Sequence, residues 1–300
     1  MQNIINGLPI AAVILLLAVG FAFLVKGADF FVEGSSSIAK KLKVPPIIIG
    51  LTIVAMGTSL PETAVSVTAS LVQNNELAVS NVVGSNIFNL MFVIGVCSIL
   101  TPIMVQKATV VRDIPLSLGC ALFLLVLGIS GLGDKTGMTL GHADGVIFLI
   151  VFAGYIFTMV RSAMKARAAG QKVEIEGVEE CDNMKELSYG KSILFLIVGA
   201  AAIAFGGDLT VDTASRIAIE LGMSQTLVGL TIVSIGTSLP ELVTSVVAAR
   251  KNEVDMAVGN AVGSNIFNIL MVLGISSAIS PVASVSYTHL RAHETAANLV

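Results

Sequence analysis

The sequence predicts an all-α polytopic membrane protein built as two inverted-topology repeats of five helices, and three observations carry that prediction. Apolar residues make up 55% of the 300 and charged residues only 12%, with a mean hydropathy of +0.91; a water-soluble chain of this size does not keep such a composition. Apolar runs recur at the roughly 20-residue length that a helical crossing needs. Finally, Gly57-Thr58-Ser59-Leu60-Pro61-Glu62 recurs as Gly236-Thr237-Ser238-Leu239-Pro240-Glu241, and Gly84-Ser85-Asn86-Ile87-Phe88-Asn89 recurs as Gly263-Ser264-Asn265-Ile266-Phe267-Asn268, both at an offset of 179 residues. The match runs without a gap from Gly27/Gly206 to Pro102/Pro281, where about 35 of 76 aligned positions are identical. A period this long is two halves of one molecule, not a solenoid repeat.

Taken in order, candidate spans lie near 8–25, 45–72, 77–100, 114–132, 143–160, 191–206, 225–249 and 256–279. Lys26, Lys40, Lys41 and Lys43 follow the first span, Lys107 and Arg112 the third, and Arg161, Lys165, Arg167 and Lys172 the fifth. These loops share one side of the membrane, and the loop after the second span, Gln73-Asn74-Asn75-Glu76, has no cation. The cationic side is cytoplasmic, so the N-terminus is expected outside. The second motif copy comes five spans after the first, and an odd separation turns it upside down. Arg250 and Lys251 after the second copy agree with a cytoplasmic turn there.

This divides the chain into a first repeat over 1–160, a cytoplasmic linker over 161–190, an incomplete second repeat over 191–285 and a tail over 286–300 that reads as non-native. Eight spans are visible of an expected ten, because the repeat would continue Pro281 into counterparts of the fourth and fifth spans. The linker carries Glu174, Glu176, Glu179, Glu180 and Asp182. Their spacing is not that of an EF-hand loop, and a solvated connection is the simpler reading.

Several classes are excluded. A net charge of −3 averages a few loops, and without a basic stripe or an aromatic platform nucleic-acid binding has no support. Three cysteines, two of them in apolar runs, indicate neither a disulfide framework nor a zinc site. The chain enters its first span without a charged start or a small-residue cleavage site, so no removed signal peptide is expected. No serine is paired with histidine and no aspartate dyad lies within the spans, so the protein is read as no enzyme, without a cofactor. No obligatory protein partner is evident; its surroundings are the lipid bilayer.

The chemistry sits in the repeated motif. Glu62 and Glu241 lie deep in apolar spans without a basic residue in the motif helices upstream of Arg250. An ionised carboxylate there costs several kcal/mol, so each acid must take a proton or a cation. Gly57 and Pro61, like Gly236 and Pro240, loosen the helix one turn before the acid and free backbone carbonyls. Thr58, Ser59, Thr237 and Ser238 add hydroxyls. Ser85 and Asn89, and likewise Ser264 and Asn268, are spaced i, i+4 and share one helical face. Asn86 and Asn265 point elsewhere and are expected to hydrogen-bond a broken helix. Asp29 and Asp208 match across the repeat at the ends of the first and sixth spans, where helix-end hydrogen bonding is expected. The set is all oxygen with two formal charges, which suits a hard cation. One Ca2+, two Na+ or two protons would each neutralise it. Crossing allowed only when the site is loaded would produce exchange of one cation load for another.

At these residues, and over about 8–282, the chain resembles the cation/calcium exchanger superfamily, specifically its prokaryotic sodium/calcium exchangers with paired alpha-repeats. The resemblance implies ten spans, with the second, third, seventh and eighth around the ions and the first and sixth sliding as a pair. It implies a central Ca2+ site on Glu62, Glu241, Thr58 and Thr237. Flanking Na+ sites would use Ser59, Ser238, Ser85, Ser264 and the backbone carbonyls of Ala55 and Ser234, with Asn89 and Asn268 lining the centre. Ser234 stands where the first copy has Ala55, which adds a hydroxyl. Members that co-transport K+ typically carry Asp at the second centre position, so Asn268 argues against K+ dependence. The activity implied is Ca2+ for Na+ antiport across the cytoplasmic membrane. H+ coupling is the nearest alternative and a passive cation channel the next.

Overall fold

In the computed structural model of the chain, residues 5, 7–73, 75–103, 107, 109–130, 139–168, 187–224, 228, 231–232 and 234–283 are described. The acidic linker cluster, Lys172, Asn74 and the 286–300 tail lie outside these residues.

Helix α1 runs Ile10–Leu42, 33 residues, which is about 50 Å at 1.5 Å per residue against a hydrocarbon core of roughly 30 Å. The expected 8–25 span is therefore corrected: Lys26, Lys40 and Lys41 are helical rather than in a loop. Hydropathy closes a span at its first charges, but no proline interrupts the helix until Lys43 turns left-handed with φ 54° and Pro45-Pro46 follows.

The second span is broken. Helix α2, Pro46–Thr58, and helix α3, Leu60–Leu71, meet at Ser59 with a bend of 47°. Pro61 has no N–H to give the Gly57 carbonyl, so the ladder fails where the motif places it. Within α2, Gly50–Val54 forms a π turn. Helix α4 comprises Asn75–Phe88, a π turn Asn89–Val93 and Ile94–Leu100. Helix α5 starts with a π turn Thr109–Asp113 and continues as Ile114–Ser130. Helix α6 is His142–Ala168, so Arg161 and Lys165 lie in its last turns and not in the expected linker.

The second half opens with α7, Tyr189–Glu220, 32 residues, again longer than the expected 191–206 for the same reason. Then come α8, Ser234–Gly236, α9, Leu239–Arg250, and α10, which is Val254–Phe267, a π turn Asn268–Val272 and Leu273–Ile279. The π turns of α4 and α10 sit 179 residues apart, as do the starts of α3 and α9. Strands β1, Thr139–Leu140, and β2, Val282–Ala283, pair antiparallel and tie the entry of α6 to the exit of α10. Among the described residues six helices are long and apolar enough to cross a membrane, and the bent α2–α3 pair makes a seventh. The expected 225–249 span is described only in part.

Helices α1 and α7 run antiparallel in close contact. Gly20 meets Gly206 and Thr210, Gly27 meets Gly199 and Ala202, and Gly34 meets Ser192 and Leu196. Without side chains at these crossings the two backbones approach directly. Rings of Phe23 and Phe205, at 5.2 Å, and of Phe30 and Phe195, at 5.0 Å, flank the seam. Ser192 donates to Ser37 at 2.9 Å.

The two halves are not covered alike. The apolar window of α10 is 78% buried, whereas that of its counterpart α4 is 28% buried. Helix α6 packs along α10. Gly145 of α6 packs on the backbone of Gly274 and Ala278, and Phe152 and Tyr155 meet Phe267 edge-on. Tyr155 also donates to the Leu51 carbonyl, inside the π turn of α2, at 2.9 Å.

Candidate functional site

Both motif acids end up in the interior, just past the helix breaks at Ser59 and at Thr237-Ser238. Glu62 in the first turn of α3 and Glu241 in the first turn of α9 each have 0% exposure. Each is reached by a serine from the opposite half. The Ser59 hydroxyl donates to Glu241 Oε1 at 3.2 Å and the Ser238 hydroxyl to Glu62 Oε1 at 3.3 Å. Ser264 adds a donor to Glu241 Oε1 at 3.4 Å. Exchange of partners under the 179-residue offset is what a two-fold relation between the halves requires. Among the described residues the ion pairs are Lys26–Asp29, Lys251–Asp29, Arg112–Asp113 and Arg216–Glu220, so no cation quenches either acid.

What is left over defines the pocket's chemistry. Glu62 Oε2, Glu241 Oε2, Ser85 Oγ, Asn89 Oδ1 and Asn268 Oδ1 are buried without a hydrogen-bond partner. With both acids ionised, four of these five atoms can only accept, and the fifth is a hydroxyl oxygen. Buried acceptors left open cost free energy unless something electropositive meets them, and a dehydrated cation meets that need with every ligand at once.

The threonines sit beside this set. Thr58 is fully buried, donates to Asn260 Oδ1 at 3.0 Å, and lies 3.4 Å from Ser264 Oγ. Thr237 donates to Asn81 Oδ1 at 3.2 Å. The Ala55 carbonyl accepts from the Ser59 N–H at 3.0 Å and from the Thr58 hydroxyl at 3.3 Å. Ser234 opens α8, and the expectation about its hydroxyl lies outside the described residues.

Two expectations are corrected. Asn86 and Asn265 do not serve a broken helix; they join α4 to α10 across the two-fold axis. Each donates through Nδ2 to the other's backbone carbonyl at 3.2 Å. Their Oδ1 atoms take the amide protons of the centre residues, Asn268 Nδ2 at 3.1 Å and Asn89 Nδ2 at 3.2 Å. This turns the amide nitrogens of both centre residues toward the facing helix and leaves their Oδ1 atoms unpartnered. Asp29 and Asp208, second, are not at helix ends, since α1 and α7 continue well past them. Asp29 pairs with Lys251 at 3.3 Å, and the same ammonium donates to the Asp29 carbonyl at 3.0 Å. A charge-paired acid keeps its place inside a helix.

Sequence reading also missed Asn81 and Asn260. Asn81 Nδ2 donates to the Glu62 carbonyl at 3.4 Å and to Ser66 Oγ at 3.0 Å, and Asn260 Nδ2 donates to the Glu241 carbonyl at 3.3 Å and to Ser245 Oγ at 2.9 Å. The signal was present: both are identical across the offset and stand one turn before Ser85 and Ser264, on the face those serines share with Asn89 and Asn268.

A buried pocket lined by oxygen and closed by two upside-down halves of a multi-pass membrane protein defines an ion transporter, not an enzyme. The chain belongs to the family of sodium/calcium exchanger proteins, which it matches over residues 12–161 and 191–299. It is 35% identical over 292 residues to the sodium/calcium exchanger MaX1 of Methanosarcina acetivorans, covering 90% of this chain and 83% of that protein. It is 36% identical over 269 residues to the inner membrane protein YrbG of Escherichia coli K12, covering 89% and 79%. Its fold matches a structure of the sodium-calcium exchanger NCX_Mj soaked with 2.5 mM Na+ and 10 mM Sr2+ at a TM-score of 0.76, with 33% identity over 92% of this chain and 85% of that one. Exchange of cations, Ca2+ among them, is the function this family carries.

Proposed function

We propose that the protein is a secondary antiporter of the cytoplasmic membrane that exchanges Ca2+ for Na+ by alternating access, with its N-terminus outside. The observation that carries this is the pair of fully buried acids, each with one carboxylate oxygen unsatisfied and the other met by a serine hydroxyl of the opposite half. Two buried negative charges make the empty pocket expensive to occlude, while one Ca2+ or two Na+ restores neutrality. Only the loaded pocket changes sides readily, and that turns binding into obligatory exchange.

In this reading Glu62, Glu241, Thr58 and Thr237 hold Ca2+. Ser59, Ser85, Ser238 and Ser264 with the carbonyls of Ala55 and Ser234 hold Na+, and Asn89 and Asn268 line the centre. The charge count alone also allows two protons, so the deciding experiment varies the driving ion. Ca2+ uptake into inverted vesicles is measured with an imposed Na+ gradient and then with a pH gradient alone. Uptake is expected with Na+, and Glu62→Gln or Glu241→Gln is expected to abolish it while leaving membrane insertion intact. Uptake driven by pH only would replace Na+ with H+ in the proposal, and Ca2+ flux without any trans cation would make the protein a channel.

A further inference from the structure

We infer that Tyr155 of α6 is a positioning residue for the ion site: its hydroxyl holds the Leu51 carbonyl that the π turn of α2 passes over, and so fixes the rotation at which Ala55, Thr58 and Ser59 reach the pocket. The inference rests on the reading of the site given under Proposed function and extends it to a helix that supplies none of the ligands assigned there.

In an α-helix the Ala55 N–H would bond the Leu51 carbonyl, four residues back. Here it bonds the carbonyls of Gly50 and Thr52 instead. A π turn carries one extra residue, which rotates everything after it by about 100° relative to an uninterrupted helix. Ala55, Thr58 and Ser59 are what come after it. No proline within Gly50-Leu51-Thr52-Ile53-Val54 removes the α-pitch bond, so the carbonyl that gives up that bond needs a partner from elsewhere.

Tyr155 supplies it. The residue is 5% exposed, and its hydroxyl donates to the Leu51 carbonyl at 2.9 Å. Its ring stands edge-on to Phe267 at 6.3 Å between centroids, and Phe267 directly precedes Asn268, where the π turn of α10 begins. From α10 the same peptide is closed in by Gly263, on which a Cβ would stand 2.8 Å from Leu51 Cα and 3.0 Å from the Leu51 carbonyl oxygen. Leu51 is fully buried, so bulk water does not stand in for the phenol. Without the hydroxyl, the donor that the α pitch offers this carbonyl is the Ala55 N–H. Taking it closes the π turn and swings the ligands of α2 away from the place they hold against Glu241 and Ser264. Tyr155 thus ties the register of the first broken helix to α6 and α10, although no ion touches it.

The test is read as half-saturating Ca2+ for Ca2+/Ca2+ self-exchange by the full chain in proteoliposomes. Self-exchange needs no coupling ion, so an error about Na+ does not disturb it. Tyr155→Phe keeps the ring and removes only the hydroxyl; it is expected to raise half-saturating Ca2+ roughly three- to tenfold, with membrane insertion intact. Thr58 is the ligand of α2 assigned to Ca2+, so Tyr155→Phe combined with Thr58→Val should be little worse than Thr58→Val alone. Combined with Thr237→Val, in the other half, its effect should multiply. Phe152→Leu loosens the neighbouring ring contact with Phe267, 4.9 Å between centroids, without touching the carbonyl. It should lower the unfolding midpoint in detergent and leave half-saturation unchanged.

Unchanged half-saturation in Tyr155→Phe, equal multiplication with both threonine variants, or a Phe152→Leu that reproduces Tyr155→Phe would assign Tyr155 to packing and overturn the inference. Failure of Tyr155→Phe to insert would do the same. Absence of self-exchange in the unmodified protein would instead sink the functional reading, and this inference along with it.

Discussion

Position 268 shows how little charge the pocket needs. Its amide nitrogen gives a proton to Asn86 Oδ1 at 3.1 Å and its own Oδ1 is left open to the pocket, so it supplies a neutral ligand and a bond across the two-fold axis together. An aspartate would add a third buried carboxylate and could not donate. Asn86 Oδ1 would then face another acceptor, at a cost of about 1–3 kcal/mol. Asn268→Asp is therefore expected to change the cation preference of Ca2+ uptake, read by competition with K+, without abolishing transport, and to lower the thermal stability of the purified protein. Unaltered competition by K+ would show that residue 268 does not face the ions. At this scale the acids, serines, threonines and centre asparagines were all legible, because a polar group repeated at matching positions in two apolar runs costs too much in hydrocarbon to be kept for packing alone. The partners of Asn86 and Asn265 were not legible, since a helix position states which face a side chain is on but not which neighbour stands there.

Among the elements, the most extensive contact is the seam between α1 and α7. A Cβ on Gly199 would stand 2.7 Å from the Phe31 backbone nitrogen and 2.8 Å from the Gly27 carbonyl oxygen. Backbone cannot rotate away as a side chain would, so the helices would have to part. Gly199→Ala is expected to cost about 1–3 kcal/mol, measured as a drop in the unfolding midpoint in detergent. Gly154→Ala on α6, where nothing lies within 4 Å, should be neutral or slightly stabilising. Equal behaviour of the two variants would mean the seam is not tight. A second feature of this pair is one-sided: Lys251 holds Asp29 of α1, but the position matching Lys251 by the offset is Val72, so no lysine repeats this tie at the matching position. The true lengths of α1 and α7 escaped hydropathy because Lys26, Asp29 and Glu33 end an apolar window without ending a helix.

For the molecule as a whole the decisive property is inversion. It makes the turn that follows each motif copy face opposite sides of the membrane, and this is open to chemical test. In a Cys181→Ser background, Gln73→Cys is expected to react with an impermeant thiol reagent added to intact cells, and Arg250→Cys only after permeabilisation. Reaction of both from one side would dissolve the inverted arrangement and with it the shared pocket.

The sequence by itself determined that the chain lives in the bilayer, that it is a doubled unit turned upside down, and that two acids with hydroxyl and amide company are the candidates for the proposed ion site. Each of these follows from local cost, because hydrocarbon penalises every charge and breaks every helix that lacks a donor, wherever the rest of the chain goes. Tertiary structure alone decided that Ser59 serves Glu241 and Ser238 serves Glu62, that four asparagines lock α4 to α10, and that Asn81 and Asn260 stand behind the threonines. Those pairings reach between residues more than 150 positions apart, and contacts at that range are set by how whole helices pack, which no local pattern encodes.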